Sequence, residues 1–155
     1  MGEKFHLTKE GLAELKEELE KLKKVRALKI KGEAPDILHS EEVNPEYLVF
    51  QEDLDFIEGR IAELENIIKN AVLIKPPPKE ERDKVLLGAT VVVEVDGRED
   101  EFKIVGSLEA NPSLGRISNQ SPVGKALINR RLNETVIISS PLQVTYKIKK
   151  IRYDL

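Results

Sequence analysis

Apolar residues recur at alternating steps of three and four in two stretches of the chain, which is the spacing of a coiled-coil seam. The first stripe is Leu12, Leu15, Leu19 and Leu22, and the second is Phe50, Leu54, Ile57, Ile61, Leu64, Ile68 and Ala71. Thr8 is suited to cap the first helix, and Asn44-Pro45 to begin the second. Gly32 and Pro35 are suited to end the first helix. The pattern predicts an antiparallel pair of helices, each longer than about 20 residues.

The first stripe stops being apolar near the end of its helix. Arg26 and Lys29 stand at the next seam positions, and Val25, Leu28 and Ile30 lie beside them. Because charged residues are rarely buried, we expect the helix to continue with a different face turned inward.

An acidic turn containing two prolines lies between the stripes. Its carboxylates belong to Asp36, Glu41, Glu42 and Glu46. Clustered carboxylates can hold a hard divalent cation through oxygen ligands and can orient a water molecule. The alternative is a solvated turn whose acids complement the dipole of the second helix. Composition leaves both interpretations open.

The period of the pattern changes after residue 75. Lys75–Lys79 contains three consecutive prolines, which favour a stiff polyproline II linker and predict a boundary between a domain at 1–75 and one at 76–155. Strands are predicted at 89–95, 100–105, 116–118, 135–139 and 144–151. Asp96-Gly97 predicts a tight hairpin turn, and Ser121-Pro122 the cap and first residue of a short helix. The fold class is therefore α+β.

Composition and charge exclude several kinds of catalytic and binding site. A net charge of −3 leaves any nucleic-acid contact to a local basic patch or to a partner protein. The chain has no cysteine, which excludes disulfides and thiolate catalysis. His6 and His39 are its two histidines, and we expect both to be ordinary exposed side chains, His6 in a mobile start of the chain. The chain shows no apolar leader and no membrane-length apolar run, which predicts a cytoplasmic protein.

Several segments in a fixed order resemble one protein family. They are Leu7-Thr8-Lys9-Glu10-Gly11, Asn44-Pro45-Glu46-Tyr47, Glu58-Gly59-Arg60-Ile61, Leu87-Gly88-Ala89-Thr90-Val91, Ile104-Val105-Gly106 with Glu109-Ala110, and Ile117-Ser118 followed by 121–128. In this order and spacing the chain resembles the Gre family of bacterial transcript-cleavage factors over nearly its whole length.

The resemblance implies a coiled-coil hairpin followed by a small FKBP-like domain. It implies that the coiled coil enters the secondary channel of bacterial RNA polymerase as a monomer. The tip carboxylates would then help to hold a Mg²⁺ of the polymerase active site, while the chain alone binds no cofactor. The chain would not be an enzyme itself, because the polymerase cleaves the 3′ end of its own backtracked RNA.

The acidic turn departs from the family pattern. The family carries an aspartate and a glutamate three residues apart, and these positions fall on Ser40 and Val43. One interpretation is that Glu41 and Glu42, with Asp36, substitute as catalytic and metal-binding carboxylates. The other is that cleavage is lost, and that the factor occupies the channel as a modulator or inhibitor.

Two further sites follow from the resemblance. Ser121 and Pro122 match a loop that contacts the polymerase rim, although they could serve only to begin the short helix. The basic residues expected near the RNA are Lys24, Arg26, Lys29 and Lys31, which could equally form a solvated helix face.

A peptidyl-prolyl isomerase is disfavoured because the second half has few aromatic residues to line a pocket. A coiled-coil adaptor would explain the stripes but not the order of the segments.

Overall fold

The computed structural model describes residues 2–32, 45–139 and 142–155 of the 155-residue chain. The chain divides into two compact units. The first consists of Met1–Lys4 with Leu12–Ala71, and the second of Phe5–Gly11 with Val72–Leu155. The start of the first helix is therefore grouped with the globular half of the chain.

Two long helices form the first unit. Helix α1 spans Lys9–Gly32 and helix α2 spans Pro45–Lys69, which confirms both predicted helices and the position of Pro45 in the first turn. The seam buries Leu19, Ile61 and Leu64, with Leu15, Leu22, Ile57 and Ile68 packed against them. Most of the stability of a helix in a protein comes from packing of its apolar face, so this burial holds the pair together.

The seam keeps its register toward the end of α1, and the prediction of a changed face is wrong. Arg26 and Lys29 are half-buried in the seam, whereas Val25, Leu28 and Ile30 are exposed. Long basic side chains can pack their aliphatic stems in a seam while the charged ends reach polar partners. Lys29 does so, because its Nζ lies 3.4 Å from Asp53 Oδ2 and 5.5 Å from the centre of the Phe50 ring.

A bidentate ion pair links the two helices beside the apolar seam. Arg60 Nε and Nη2 donate to the two carboxylate oxygens of Glu18 at 2.8 and 3.0 Å. Arg60 Nη1 also donates to Glu63 at 3.1 Å. These hydrogen bonds from Arg60 lower the pKa of Glu18. The fork geometry of the guanidinium fixes one register between α1 and α2.

Among the described residues, the second unit contains two sheets and one short α-helix, and its strand β2 begins at Ala71, the last residue of the first unit. Its strands are β1 (Phe5–Leu7), β2 (Ala71–Leu73), β3 (Thr90–Val95), β4 (Arg98–Val105), β5 (Arg116–Ser118), β6 (Thr135–Ile138) and β7 (Val144–Arg152), and helix α3 spans Pro122–Leu127. Strands β1 and β2 pair with each other, and the larger sheet has the order β5-β4-β3-β7-β6. Only the β4–β5 pair of this larger sheet is parallel. The predicted α+β class, with two long N-terminal helices followed by a small domain of sheet and helix, is confirmed.

The core of the second unit lies between the larger sheet and α3. Its buried members are Val85, Ala89, Val91, Val93, Ile104, Leu127, Val136, Ile138 and Ile148. The predicted hairpin turn is present, since Asp96 and Gly97 both have positive φ (50° and 77°), as a type I′ turn requires.

The start of the chain is a strand, which corrects the expectation that His6 lies in a mobile segment. His6 is exposed as predicted, but it belongs to β1. Leu7 is fully buried, and its carbonyl accepts a hydrogen bond of 2.8 Å from the Ile74 N–H. A Cβ on Gly106 would lie 2.8 Å from the His6 carbonyl oxygen, so a glycine permits this close approach. Three residues carry too little alternation to reveal such a strand, because distant pairing creates it.

The Glu18–Arg60 pair predicts a pH-dependent stability. Because the folded-state pKa of Glu18 is lowered, its contribution is present above the unfolded pKa of about 4.3 and is lost as pH falls through the folded-state pKa. We expect Glu18→Gln to lower the free energy of unfolding at pH 7 by about 0.5 kcal/mol, because the half-exposed pair is screened by solvent. Urea unfolding at pH 7 and below pH 4 measures the difference, with Glu20→Gln as the control on the solvated face of α1. A deficit that is equally large at both pH values would contradict the assignment.

Candidate functional site

The predicted site residues fall into three groups with different outcomes. Asp36, Glu41 and Glu42 lie outside the described residues, so their catalytic and metal-binding roles stay predictions. Within the described ranges, no group of three or more histidine, aspartate or glutamate side chains could hold a metal ion. Nor does any helix among the described residues have the length and apolar character needed to cross a membrane.

Ser121 and Pro122 form the start of α3, as predicted. The Ser121 hydroxyl donates to the Ser118 carbonyl oxygen at 2.7 Å and accepts from the Gly124 N–H at 3.1 Å. Its backbone N–H also donates to the Ser118 carbonyl, at 3.1 Å. The hydroxyl is therefore committed to the helix cap, and exposed Pro122 offers the free surface of the loop.

Ser118 organises the loop from the end of β5. Its hydroxyl accepts from the Gln120 N–H at 3.0 Å and lies 3.0 Å from the hydroxyl of Ser107. Together with the two bonds to its carbonyl, this makes Ser118 the centre of a local network. Sequence reasoning missed Ser107 and Ser118, because serines carry no periodic signal and these two serines lie 11 residues apart in the chain.

Gly124 lets α3 pass against the backbone of β5. A Cβ on this residue would lie 2.0 Å from the Ser118 carbonyl oxygen and 2.9 Å from its carbon. Both are backbone atoms, so no side-chain movement could relieve the clash. The glycine thus allows the carbonyl of Ser118 to accept both bonds from Ser121.

A shallow groove of about 380 Å³ adjoins the loop. It is lined by Leu86, Leu87, Asn119, Gln120, Lys125 and Ile128. Tyr153 supports the backbone there, since its hydroxyl donates to the Lys84 carbonyl at 2.5 Å and accepts from the Leu86 N–H at 2.9 Å. Burial raises the pKa of the Tyr153 phenol, which stays protonated as the first of these bonds requires. The groove and Pro122 give this end of the unit a surface with both apolar and cationic character.

The four predicted RNA-proximal residues lie on two different faces of α1. Lys24 and Lys31 are exposed and, seven residues apart, share one face. Arg26 and Lys29 lie in the seam, and the side chain of Lys29 is only 14% exposed. Residues 21–32 contain six cations and no acid, so the end of α1 remains strongly basic. The exposed face suits phosphate contact better than the seam face does.

Apolar side chains near the end of α1 form a surface that the sequence stripes did not predict. Leu28 is 71% exposed and Phe56 of α2 is 79% exposed. With Val25, Gly32 and Ile57, they line a groove of about 630 Å³ beside the Lys29–Asp53 pair. The groove exists because Arg26 and Lys29, and not Val25 and Leu28, turn toward the partner helix.

Comparison with known proteins defines the class. A family model for the N-terminal domain of a transcription elongation factor matches residues 5–73, and a model for the C-terminal domain of GreA/GreB transcription elongation factors matches residues 79–153. A chain with both domains in this order is a two-domain transcription elongation factor. Within that class, the chain belongs to the GreA/GreB family.

Relatives match the chain over most of their own length. The transcription elongation factor GreA of Thermomicrobium roseum is 41% identical over 141 residues, covering 90% of each chain. The GreA of Bacillus cytotoxicus is 43% identical over 145 residues, covering 88% of this chain and 89% of the relative. Among solved structures, GreA factor homolog 1 of Thermus thermophilus is 24% identical with a TM-score of 0.43, covering 97% of this chain and 99% of that one. A GreA/GreB factor from Nitrosomonas europaea is 19% identical with a TM-score of 0.43, covering 97% and 100%.

The close approach at Gly124 predicts a strong effect of a single methyl group. We expect Gly124→Ala to lower the free energy of unfolding by about 2 kcal/mol or more, because the added Cβ meets backbone atoms. Gly59→Ala is the matched control, since a Cβ there meets nothing within 4 Å in the middle of α2. That substitution should raise stability by about 1 kcal/mol through helix propensity. Chemical denaturation measures both, and equal stability of the Gly124 variant and the parent would refute the packing argument.

Proposed function

We propose that this chain is an elongation factor that binds bacterial RNA polymerase and inserts its coiled-coil tip in the secondary channel. There it stimulates cleavage of the 3′ end of backtracked RNA. The observation that carries the proposal is identity above 40% across both domains with proteins named transcription elongation factor GreA.

The first unit supports a role as a rigid probe. Helix α1 has 24 residues and α2 has 25, so each is about 36 Å long at 1.5 Å per residue. The apolar seam and the Glu18–Arg60 fork hold the two helices in one register. Toward Gly32 the Lys29–Asp53 pair continues the seam. A hairpin stiffened along its length can deliver the acidic turn into a narrow channel.

The acidic turn supplies the chemistry in this proposal. Asp36, Glu41 and Glu42 are the carboxylates that offer oxygen ligands to the Mg²⁺ of the polymerase active site. The metal, held jointly, supplies an activated water for phosphodiester hydrolysis. The chain binds no metal alone and has no catalytic activity of its own, because the polymerase performs the cleavage. Ser40 and Val43 at the family's acidic positions make the neighbouring glutamates the working pair.

The other described sites take supporting roles. The Ser121–Pro122 loop contacts the polymerase rim, with Pro122 as the exposed contact and Ser121 as the cap that shapes the loop. Lys24 and Lys31 face the phosphates of the RNA 3′ segment. The factor acts as a monomer, and its polymerase partner places it in the cytoplasm.

The direct test mixes the purified chain with backtracked complexes of its own polymerase, using 3′-labelled RNA and Mg²⁺. Release of short 3′ fragments is the expected result. Binding without release, together with slowed nucleotide addition, would instead support the channel-occupying inhibitor. Absence of binding would reject the polymerase partner altogether.

The tip carboxylates generate the sharpest functional prediction. Glu41→Ala/Glu42→Ala should abolish fragment release while leaving polymerase affinity unchanged, because it removes oxygen ligands and not the docking surface. Glu80→Ala/Glu81→Ala is the matched control, since it removes two adjacent exposed glutamates from the second unit. Cleavage that persists in the tip variant would transfer the role to Asp36 or another group.

The loop generates a prediction about affinity. Pro122→Ala should raise the Kd for polymerase about fivefold, because it trims an exposed contact and leaves the Ser121 cap bonds in place. Pro112→Ala is the control, because Pro112 is also an exposed first residue of a helical turn. Fluorescence titration against polymerase measures both variants. The rim assignment fails if the two variants bind equally well.

A further inference from the structure

We propose that Glu109 is a positioning residue that couples the Ser121–Pro122 loop to the first turn of α1. It acts through a single 3₁₀ turn, Ser107–Glu109, which touches both places. The inference rests on the proposed function, because it concerns how a factor docked at its loop holds the helix that carries the tip. All the residues involved belong to the second unit.

One end of the coupling is the cap of α1. The Thr8 N–H donates to Glu109 Oε2 at 2.8 Å, and the Thr8 hydroxyl donates to Glu109 Oε1. The same hydroxyl accepts from the Gly11 N–H at 3.0 Å. Thr8 is only 3% exposed, so these bonds replace water that cannot reach it. The helix therefore begins on a side chain that a distant turn holds in place.

Gly11 makes room for the carboxylate. A Cβ on this residue would lie 1.9 Å from Glu109 Oε1 and 2.2 Å from its carboxyl carbon. A glycine at the third helical position is unfavourable for a helix. Here it allows an anion to lie against the first turn, where the helix dipole stabilises negative charge. The position of Gly11 thus points to Glu109 as the group the helix start accommodates.

The other end of the coupling is the network around Ser118. The Ser107 hydroxyl lies 3.0 Å from the Ser118 hydroxyl, which also accepts from the Gln120 N–H. The Ser118 carbonyl in turn holds Ser121. Ser107 and Glu109 are two residues apart in one turn, which the Glu109 N–H closes on the Gly106 carbonyl at 3.1 Å. A shift of the loop against Ser118 must therefore move the turn that carries Glu109.

Loss of Glu109 should change the position of the acidic turn more than the affinity for polymerase. A partner that contacts Pro122 can displace the neighbouring Ser121, which is hydrogen-bonded to Ser118. Ser118 in turn contacts Ser107 of the 107–109 turn. Glu109 then fixes Thr8, the cap of the helix whose far end leads to the acidic turn. Misplacement of a catalytic group by about 1 Å can reduce a rate by up to about 100-fold without weakening binding elsewhere. Loss of Glu109 should hence lower the cleavage rate at full occupancy.

Hydrogen exchange on the free chain tests the coupling without any polymerase. Ser118→Ala removes only the hydroxyl link to Ser107 and Gln120. We expect exchange of the Thr8 and Gly11 amides to become at least about twofold faster. The loosened turn carries Glu109, which accepts from the Thr8 N–H and holds the Thr8 hydroxyl that accepts from Gly11. Ser113→Ala is the control, as its hydroxyl bonds Asn111 within the following turn. Unchanged exchange at both amides would overturn the coupling.

Cleavage kinetics test the positioning role. At saturating factor, Glu109→Ala should lower the rate of fragment release about tenfold while the Kd for polymerase stays within about twofold. Glu109→Gln, which keeps one carbonyl acceptor, should fall between the alanine variant and the parent. Glu99→Ala, an exposed glutamate of β4, should match the parent. Parental cleavage by the alanine variant would overturn the positioning role. Failure of the parent chain itself would reject the proposed function, and the exchange result then decides the coupling alone.

Discussion

The seam between α1 and α2 is the interaction on which the first unit depends. Helices of this length and composition gain their stability from tertiary burial, and the buried contact is concentrated at Leu19, Ile61 and Leu64. Farther along α1 the seam continues with Arg26 and Lys29, whose stems pack while Lys29 reaches Asp53. The chain therefore changes from an apolar to a polar seam without changing register. That change leaves Leu28 and Phe56 on the surface.

The second unit depends on close approaches of backbone to backbone. Gly124 lies against the Ser118 carbonyl, and Gly106 against the His6 carbonyl. Each approach brings a strand end and a turn close enough for hydrogen bonds that a side chain would prevent. The Ser121–Pro122 loop and the β1 strand both exist because of such contacts. One short turn links the two regions, because its Ser107 contacts Ser118 beside the loop and its Glu109 accepts from Thr8, which follows β1.

The function proposed above gives these features a common purpose. It assigns docking to the Ser121–Pro122 loop, rigidity to the helix pair and metal binding to the acidic turn. The unusual order of residues in the turn, with glutamates at 41 and 42 between Ser40 and Val43, separates this chain from the family pattern at the place where chemistry would occur. Asp36, Glu41 and Glu42 still supply carboxylates in this segment of the sequence.

Periodicity and turn chemistry were sufficient to predict the two long helices and the strands of the larger sheet. Both helices, the hairpin turn at Asp96-Gly97, the Ser121 cap and the α+β class follow from local spacing and turn chemistry, which the backbone expresses wherever it is placed. Residue order was also sufficient to indicate the family, because motifs recur at fixed separations.

Tertiary structure alone decided the features that arise from long-range contact. Three features depend on partners more than ten residues away: the strand β1, the burial of Lys29 beside Asp53, and the contact between the Ser107 and Ser118 hydroxyls. In the sequence, Glu109 has no feature that distinguishes it from other surface acids. The fold brings it to Thr8, which lies 101 residues earlier in the chain. No local pattern encodes such a pairing, because hydrogen-bonding groups of every type recur throughout the chain and only the fold selects which of them meet.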